Sequence, residues 1–257
     1  MTGWQALARE LDRWQRAGRR ADFWWRDDDA VAPGPALERL LGLARRHALP
    51  LALAVIPAGA GPALAAALDR IPRLYVLQHG FAHANHAPEG EKTIELGAHR
   101  PMPKILGELR RGRRQLRRLF DRRLVPALVP PWNRIDPAVV RRLPGLGFTG
   151  LSTFRARPRA APAPGLRQVN CHIEIMNWQT RGFIGRAQAL AFAIDHLAGR
   201  REGRADAAEP TGLMTHHLAH DEAVWRFLEQ FFVATTRHPA ARWRTARALF
   251  PDRRARR

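Results

Sequence analysis

Cysteine is almost missing from this chain: Cys171 is alone among 257 residues. That excludes an internal disulfide framework and any metal centre built on several thiolates, so a metal here would need nitrogen and oxygen ligands. Lysine is nearly as scarce, with only Lys92 and Lys104, yet Lys+Arg outnumber Asp+Glu 43 to 23 and the formal net charge is +20. The excess is therefore arginine, and together with abundant Ala, Gly and Pro it reads as a compositional habit rather than a nucleic-acid signature. No recognised nucleic-acid motif accompanies it, and no specific nucleic-acid partner is expected. Long apolar runs are absent too. The longest, Leu49 to Ala60, is broken by Pro50 and Pro57 and is too short to span a bilayer. The first 20 residues carry Arg9, Glu10, Asp12 and Arg13 and lack the apolar stretch of a secretion signal, so a cytoplasmic location is expected.

What is present is enough apolar residue, 46%, to bury a substantial core. Short apolar runs alternate with helical patterns. Strands are predicted at Phe23–Trp25, Leu51–Ile56, Leu74–Gln78, Ala127–Val129, Phe148–Ser152, Val169–Ile175 and Gly212–Thr215. Helices are predicted at Ala36–His47, Pro62–Arg70, Pro103–Phe120, Pro137–Leu143, Ile184–Leu197 and Glu222–Val233, with an amphipathic N-terminal helix over 3–18 carried by Trp4, Leu7, Leu11 and Trp14. This rhythm predicts an α/β chain folded as one distorted (β/α) barrel over 1–257, about seven parallel strands surrounded by helices, with a frayed basic tail at 251–257. Arg155–Gly165 and Gly199–Pro210 read as surface loops. The arginines of 104–123 fall mostly opposite Ile105, Leu109, Gly112, Leu116 and Leu119, as on a solvated face.

Four polar clusters follow strand candidates, where a β/α barrel mounts its chemistry. The first is Arg26-Asp27-Asp28-Asp29, whose crowded carboxylates a nearby cation would relieve. The second is Gln78 to His86, with three histidines in eight residues; His79 and His83, four apart, would share one face of a helical turn and could share a metal, while His86 stands outside that spacing. The third is Val129-Pro130-Pro131-Trp132-Asn133-Arg134. In the fourth, Gly212 to Asp221, His216 and His217 must face opposite ways if the strand runs through both. Trp24, Trp25, Trp132, Trp178 and Trp225 lie beside these clusters and could pack in the core or against a sugar ring. Cys171 neighbours His172, but adjacent strand residues point apart, so the thiol reads as a buried spectator.

In order and spacing these clusters resemble the polysaccharide deacetylase (NodB-homology) family, in a divergent cytoplasmic form, over about residues 22 to 221. The resemblance implies a distorted (β/α) barrel and a metal-dependent hydrolase that removes an acyl group, usually acetyl, from an N-acylated sugar or related small amide. Asp29, His79 and His83 would be the metal ligands and Asp28 the general base; a shift by one would make Asp27 the base and Asp28 the ligand. The backbone N–H of Trp132 would hold the oxyanion, and His216 or His217 would protonate the leaving amine, with His216 preferred and Glu174 or Asp221 as its partner. Arg26, Pro131, Arg134 and Trp178 are the candidate substrate contacts. Zinc is favoured as the ion, and cobalt, nickel, manganese or iron suit the same ligands. One departure stands out: Val129 occupies the place where many family members carry an arginine that orients the base, a role Arg26 or Arg134 could take. The other reading is a catalytically weak barrel that binds carbohydrate or another polyanion without turnover.

Overall fold

A computed structural model describes residues 2–250 of the chain. The strands are β1 (Ala21–Ala30), β2 (Leu51–Val55), β3 (Leu74–His79), β4 (Leu124–Val129), β5 (Gly150–Leu151), β6 (Arg167–Gln168), β7 (Ile173–Glu174), β8 (Met176–Asn177), β9 (Gly182–Phe183), β10 (Thr211–Thr215) and β11 (Ala241–Trp243). The helices are α1 (Gly3–Arg16), α2 (Pro35–Arg46), α3 (Pro62–Asp69), α4 (Met102–Phe120), α5 (Pro137–Val140), α6 (Arg186–Glu202), α7 (Glu222–Thr236) and α8 (Ala246–Leu249). Eight strands form one curled parallel sheet in the order β6-β5-β4-β3-β2-β1-β10-β7, with β11 added beside the start of β1. The two end strands, β6 and β7, follow each other directly in the chain, and a parallel bridge between Phe154 and Cys171 continues the β5–β6 pairing between them, so the sheet curls into a distorted barrel. β8 and β9 make a separate antiparallel hairpin.

The strands read as unbroken apolar runs because both of their faces are buried. Leu51, Leu53, Val55, Phe23 and Trp25 pack outward beneath the helices. Their neighbours Ala52, Ala54 and Trp24 point inward with Leu77, Ala127, Val129 and Met214. Small alanines leave the interior room for the indole of Trp24, whose Nε1–H donates to Asn170 O at 3.0 Å. Trp25 donates to Thr215 Oγ1 at 2.9 Å on the other face. The helix α1 starts at a capping box between Thr2 and Gln5 and buries Leu7, Leu11 and Trp14, two residues shorter than predicted. On α4, Ile105, Leu109, Gly112, Leu116 and Phe120 are buried, while Arg110, Arg111, Arg114, Arg117 and Arg118 are exposed, the solvated face that the pattern predicts. The predicted tail at 251–257 lies outside the described residues. Among the described residues no helix is long and apolar enough to cross a membrane.

Three corrections bear on the site. β1 is not a three-residue strand: it runs through the acidic triplet, so Asp27, Asp28 and Asp29 belong to the strand rather than to a turn after it. His79 ends β3 and His83 sits in the following loop, so no helical turn joins them. The predicted strand over Val169–Ile175 is broken up, with only Ile173–Glu174 keeping ladder pairing as β7.

Candidate active site

Alternation along β1 sends Arg26 and Asp28 into the barrel and Asp27 outward. A regular strand would then turn Asp29 outward as well. Instead the pairing of β1 with β2 slips between Asp27 and Ala30, and Asp29 takes a left-handed backbone with φ 69°. Such a bulge re-aims a side chain, and Asp28 and Asp29 both reach the same cavity. His83 (φ 54°), Trp132 (φ 54°) and Asn133 (φ 56°) share the left-handed conformation, which costs a non-glycine residue roughly 1–3 kcal/mol and tends to collect at functional sites.

Those residues line a cavity of about 450 Å³ at the carboxyl ends of the strands, together with His79, Arg134, Phe154, Glu174, Trp178, Met214 and His216. One oxygen of Asp29, Oδ1, lies 3.0 Å from His79 Nε2 and 3.3 Å from His83 Nε2. His79 donates its Nδ1–H to Val129 O at 2.9 Å, so the neutral ring has its Nε2 lone pair available to an ion, whereas the protonated ring donates Nε2–H to Asp29. Two imidazole nitrogens and a carboxylate at these separations match the edges of a tetrahedral site with ligand bonds of about 2.0–2.2 Å, so the donor set fits a divalent ion. With no ion between them, the same three groups hold one another. Burial would raise the Asp29 carboxyl, but its bond to His79 and the charges of His79, His216 and His83 hold it far below the usual carboxylate range. Burial would likewise lower His79, yet Asp29 and Asp28 raise it. His83 moves down, through burial and the charge of His79.

Of the two arginines considered for Asp28, Arg26 is the one that lies on it. Its guanidinium is fully buried and lies fork-to-fork on Asp28, with Nε 2.9 Å from Oδ1 and Nη2 donating to Oδ2 at 2.9 Å. Ser152 Oγ at 2.7 Å, Asn133 Oδ1 at 2.8 Å and Thr153 O at 3.2 Å accept its other protons. Arg134 instead donates to Thr93 O and Oγ1, each at 2.8 Å. The arginine on Asp28 thus comes from two residues upstream on its own strand. Being sealed in, Arg26 is not the substrate contact the sequence suggested. Neither is Pro131, which is buried against Gly80.

The remaining candidates divide cleanly. His216 Nε2 lies 3.9 Å from Asp28 Oδ2 at the cavity wall, and the Trp178 ring meets the His216 ring edge-on at 4.6 Å. Trp178, about half exposed, donates Nε1–H to Glu174 Oε2 at 3.0 Å. Burial raises the Glu174 carboxyl despite the opposing charge of His216. His217 points to the other face, onto Asp27, and Asp221 is occupied as the N-cap of α7. Trp132 stacks near His83 at 4.4 Å. The hydrogen bonds of its turn run from Asn133 N–H to Pro130 O and from Arg134 N–H to Pro131 O, so the Trp132 amide is outside them. His86 is exposed and away from the cavity. The Cys171 thiol is buried and pushed up to about 12 by that burial, the spectator expected.

Sequence reasoning missed Glu95. It is fully buried and accepts the backbone N–H groups of Phe81 and Ala82, at 3.1 and 2.7 Å, pinning the loop that presents His83. Gly80 (φ 51°) is needed there because a Cβ would collide with Glu95 and Pro131. Its signal was a lone acid among apolar neighbours, Ile94 and Leu96. A second group, His172, His196 and Glu209, also gathers donor atoms. It does not fit a metal: His172 Nδ1 accepts the Gly212 N–H at 3.0 Å, so the neutral ring carries its proton on the nitrogen facing Glu209. The two rings also stack at 3.4 Å and 13°, which keeps their lone pairs parallel rather than convergent.

No protein-family model and no curated protein sequence matches the chain. Solved structures do. A Mycobacterium smegmatis protein provisionally described as a polysaccharide deacetylase superposes with a TM-score of 0.68 at 15% identity, covering 92% of this chain and 91% of that one. The Bc1960 peptidoglycan N-acetylglucosamine deacetylase, in complex with a naphthalenyl hydroxamate-type benzamide, gives 0.57 at 12% identity over 90% and 88%. A Clostridium thermocellum family 4 acetyl xylan esterase bound to a cobalt ion gives 0.55 at 12% identity over 89% and 90%. The chain has the fold of the polysaccharide deacetylases and family 4 carbohydrate esterases.

Proposed function

We propose that this protein is a metal-dependent hydrolase that removes an acyl group, acetyl first of all, from an N-acylated sugar or a related amide. The observation that carries this reading is the convergence of Asp29, His79 and His83 beside Asp28 and His216 in one cavity at the strand ends. The fold shared with deacetylases and esterases supports it, and the cobalt in the xylan esterase shows that such a fold can hold a divalent ion. Zinc is the favoured ion here, with cobalt, nickel, manganese and iron compatible with the same ligands.

A bound divalent ion supplies Lewis acidity, bringing the pKa of a water down towards about 7. The other steps belong to the chain. Asp28, aligned by the Arg26 fork, accepts the proton of the attacking water. The Trp132 N–H donates to the oxygen that becomes negative as the carbonyl turns tetrahedral. His216 hands a proton to the departing nitrogen; Glu174, tied to Trp178, stands behind it. Trp178 offers an exposed indole face to a sugar ring. Metal analysis of the purified protein and acetate release from N-acetylglucosamine oligomers test this reading. About one ion per chain, with turnover lost to a chelator and restored by zinc or cobalt, is the expected result. A chain that takes up no ion, or that binds the oligomers without releasing acetate, would overturn it, and the latter would favour the binding-only barrel.

A further inference from the structure

Beside the active-site cavity runs a larger groove of about 980 Å³ that meets it at Asn133 and Arg134, which line both. Its floor is apolar, with Ile135, Val140 and Leu151, and its walls carry Lys92, Arg141 and Arg159. Among the described residues these three cations are exposed and make no ion pair. Glu91, the one carboxylate lining the groove, is 3.5 Å from His99. Arg134, anchored to Thr93, forms the ridge between the two spaces.

We infer that this groove receives the units next to the acylated residue of an oligosaccharide, and that those units carry negative charge, as carboxylates or as sulfate or phosphate esters. The inference rests on the hydrolase reading above for its placement of the acylated residue. A neutral glycan can only hydrogen-bond to these walls, whose charge is positive on balance, with Lys92, Arg141 and Arg159 against Glu91. An anionic one gains on both encounter and retention, since complementary charge steers approach and fixes register. The apolar floor suits the faces of sugar rings, and the volume is twice that of the catalytic cavity, room for more than the single reacting residue.

The test compares three hexasaccharides: neutral N-acetylglucosamine hexamer, hyaluronan hexasaccharide with alternating glucuronates, and 6-O-sulfated N-acetylglucosamine hexamer. Acetate release gives kcat/KM and calorimetry gives Kd for each. One anionic hexamer is expected to be preferred over the neutral one, the carboxylate and sulfate arms showing which anion fits, and the preference should fade with added salt. Exposed charge contacts are individually weak, so Arg141→Gln/Arg159→Gln should cut the anionic-to-neutral ratio by about five- to tenfold. Arg114→Gln/Arg118→Gln, which removes the same charge from the outer face of α4, should leave that ratio alone. No anionic preference, or an equal loss in both double variants, would overturn the inference, the latter because it would make the effect one of overall charge. If none of the hexamers releases acetate, the hydrolase reading fails, while the calorimetric ratio and its response to the two double variants still decide the groove.

Discussion

Two aspartate–histidine pairs sit one residue apart, their aspartates on β1 and their histidines just past the end of β10, and they are built for opposite ends. Asp27 and His217 meet at 2.5 Å behind the sheet, with Asp27 Oδ2 also accepting Thr215 Oγ1–H at 2.6 Å and the His217 N–H at 3.1 Å. Both side chains are sealed from solvent. Asp28 and His216 stand 3.9 Å apart on the inner face, at the wall of a cavity large enough for a reactant. The outer pair has spent its hydrogen-bonding capacity on itself. In the inner pair Arg26 occupies one flank of Asp28, and the gap to His216 stays open. On the proposed reading the same residue types become scaffold or chemistry according to the face they reach, which strand alternation sets for the two aspartates.

That contrast breaks first under Asp28→Asn, the variant with the largest expected effect. The amide cannot accept a proton, so acetate release should fall by about 10²–10⁴-fold, the usual worth of a positioned general base, while metal content stays unchanged because Asp29, His79 and His83 remain. Loss of the ion along with activity would mean that Asp28 is a ligand and the triplet is read one residue out of register. Next comes the split between the histidines. His216→Ala should cripple hydrolysis of an amide with a poor leaving group by about 10²-fold or more and spare an ester with a good one. His217→Ala should do the reverse of a catalytic lesion: it strands a buried carboxylate, costing on the order of 3–5 kcal/mol in urea unfolding, with activity at permissive temperature largely kept. If His217→Ala instead shows the leaving-group signature, the two faces have been assigned the wrong way round.

A smaller effect is expected from Arg26→Lys, which keeps the charge but loses the fork that holds both oxygens of Asp28. A positioning residue of this kind typically accounts for about 10–100-fold in activity. The loss should appear in kcat rather than KM and should shift the pH–rate profile, because the base it orients is less well held. A change confined to KM would point to a substrate contact instead, which the burial of Arg26 argues against.

Much of this was legible beforehand because it is local. The β/α rhythm and the four clusters at strand ends follow from side-chain period and burial, which the residues themselves encode; the opposite facing of His216 and His217 was expected of a strand running through both, whereas β10 ends at Thr215 and a turn beginning at His217 separates them. Glu95 and the bulge at Asp29 were not legible, since each is a relation between distant segments or between a strand and its neighbour's register. The arginine on Asp28 lies between these cases. Period two puts residues 26 and 28 on one face, so Arg26 was a fair candidate; that Arg134 turns away to Thr93 depends on a loop some forty residues upstream, and only the folded chain decides it.

The finest test of the two faces is the pH dependence of the sealed pair. For His217, burial favours the neutral ring, but the charge and hydrogen bond of Asp27 outweigh it and raise the imidazole above its ordinary value. For Asp27, burial favours the acid, and His217 again outweighs it and lowers the carboxyl. A raised histidine contributes stability that is complete below the unfolded value of about 6.5 and is lost as pH climbs through the folded one; a lowered aspartate contributes stability that is complete above about 3.9 and is lost as pH falls. The pair is therefore worth most between about pH 4 and 6.5. The Tm gap between the native protein and His217→Gln should be wider at pH 5.5 than at pH 9, where the imidazole loses its proton and a neutral hydrogen bond remains. An equal gap, or a wider one at pH 9, would show that His217 is uncharged in the folded protein, and the outer pair would then be a hydrogen bond closing the sheet from behind rather than an ion pair.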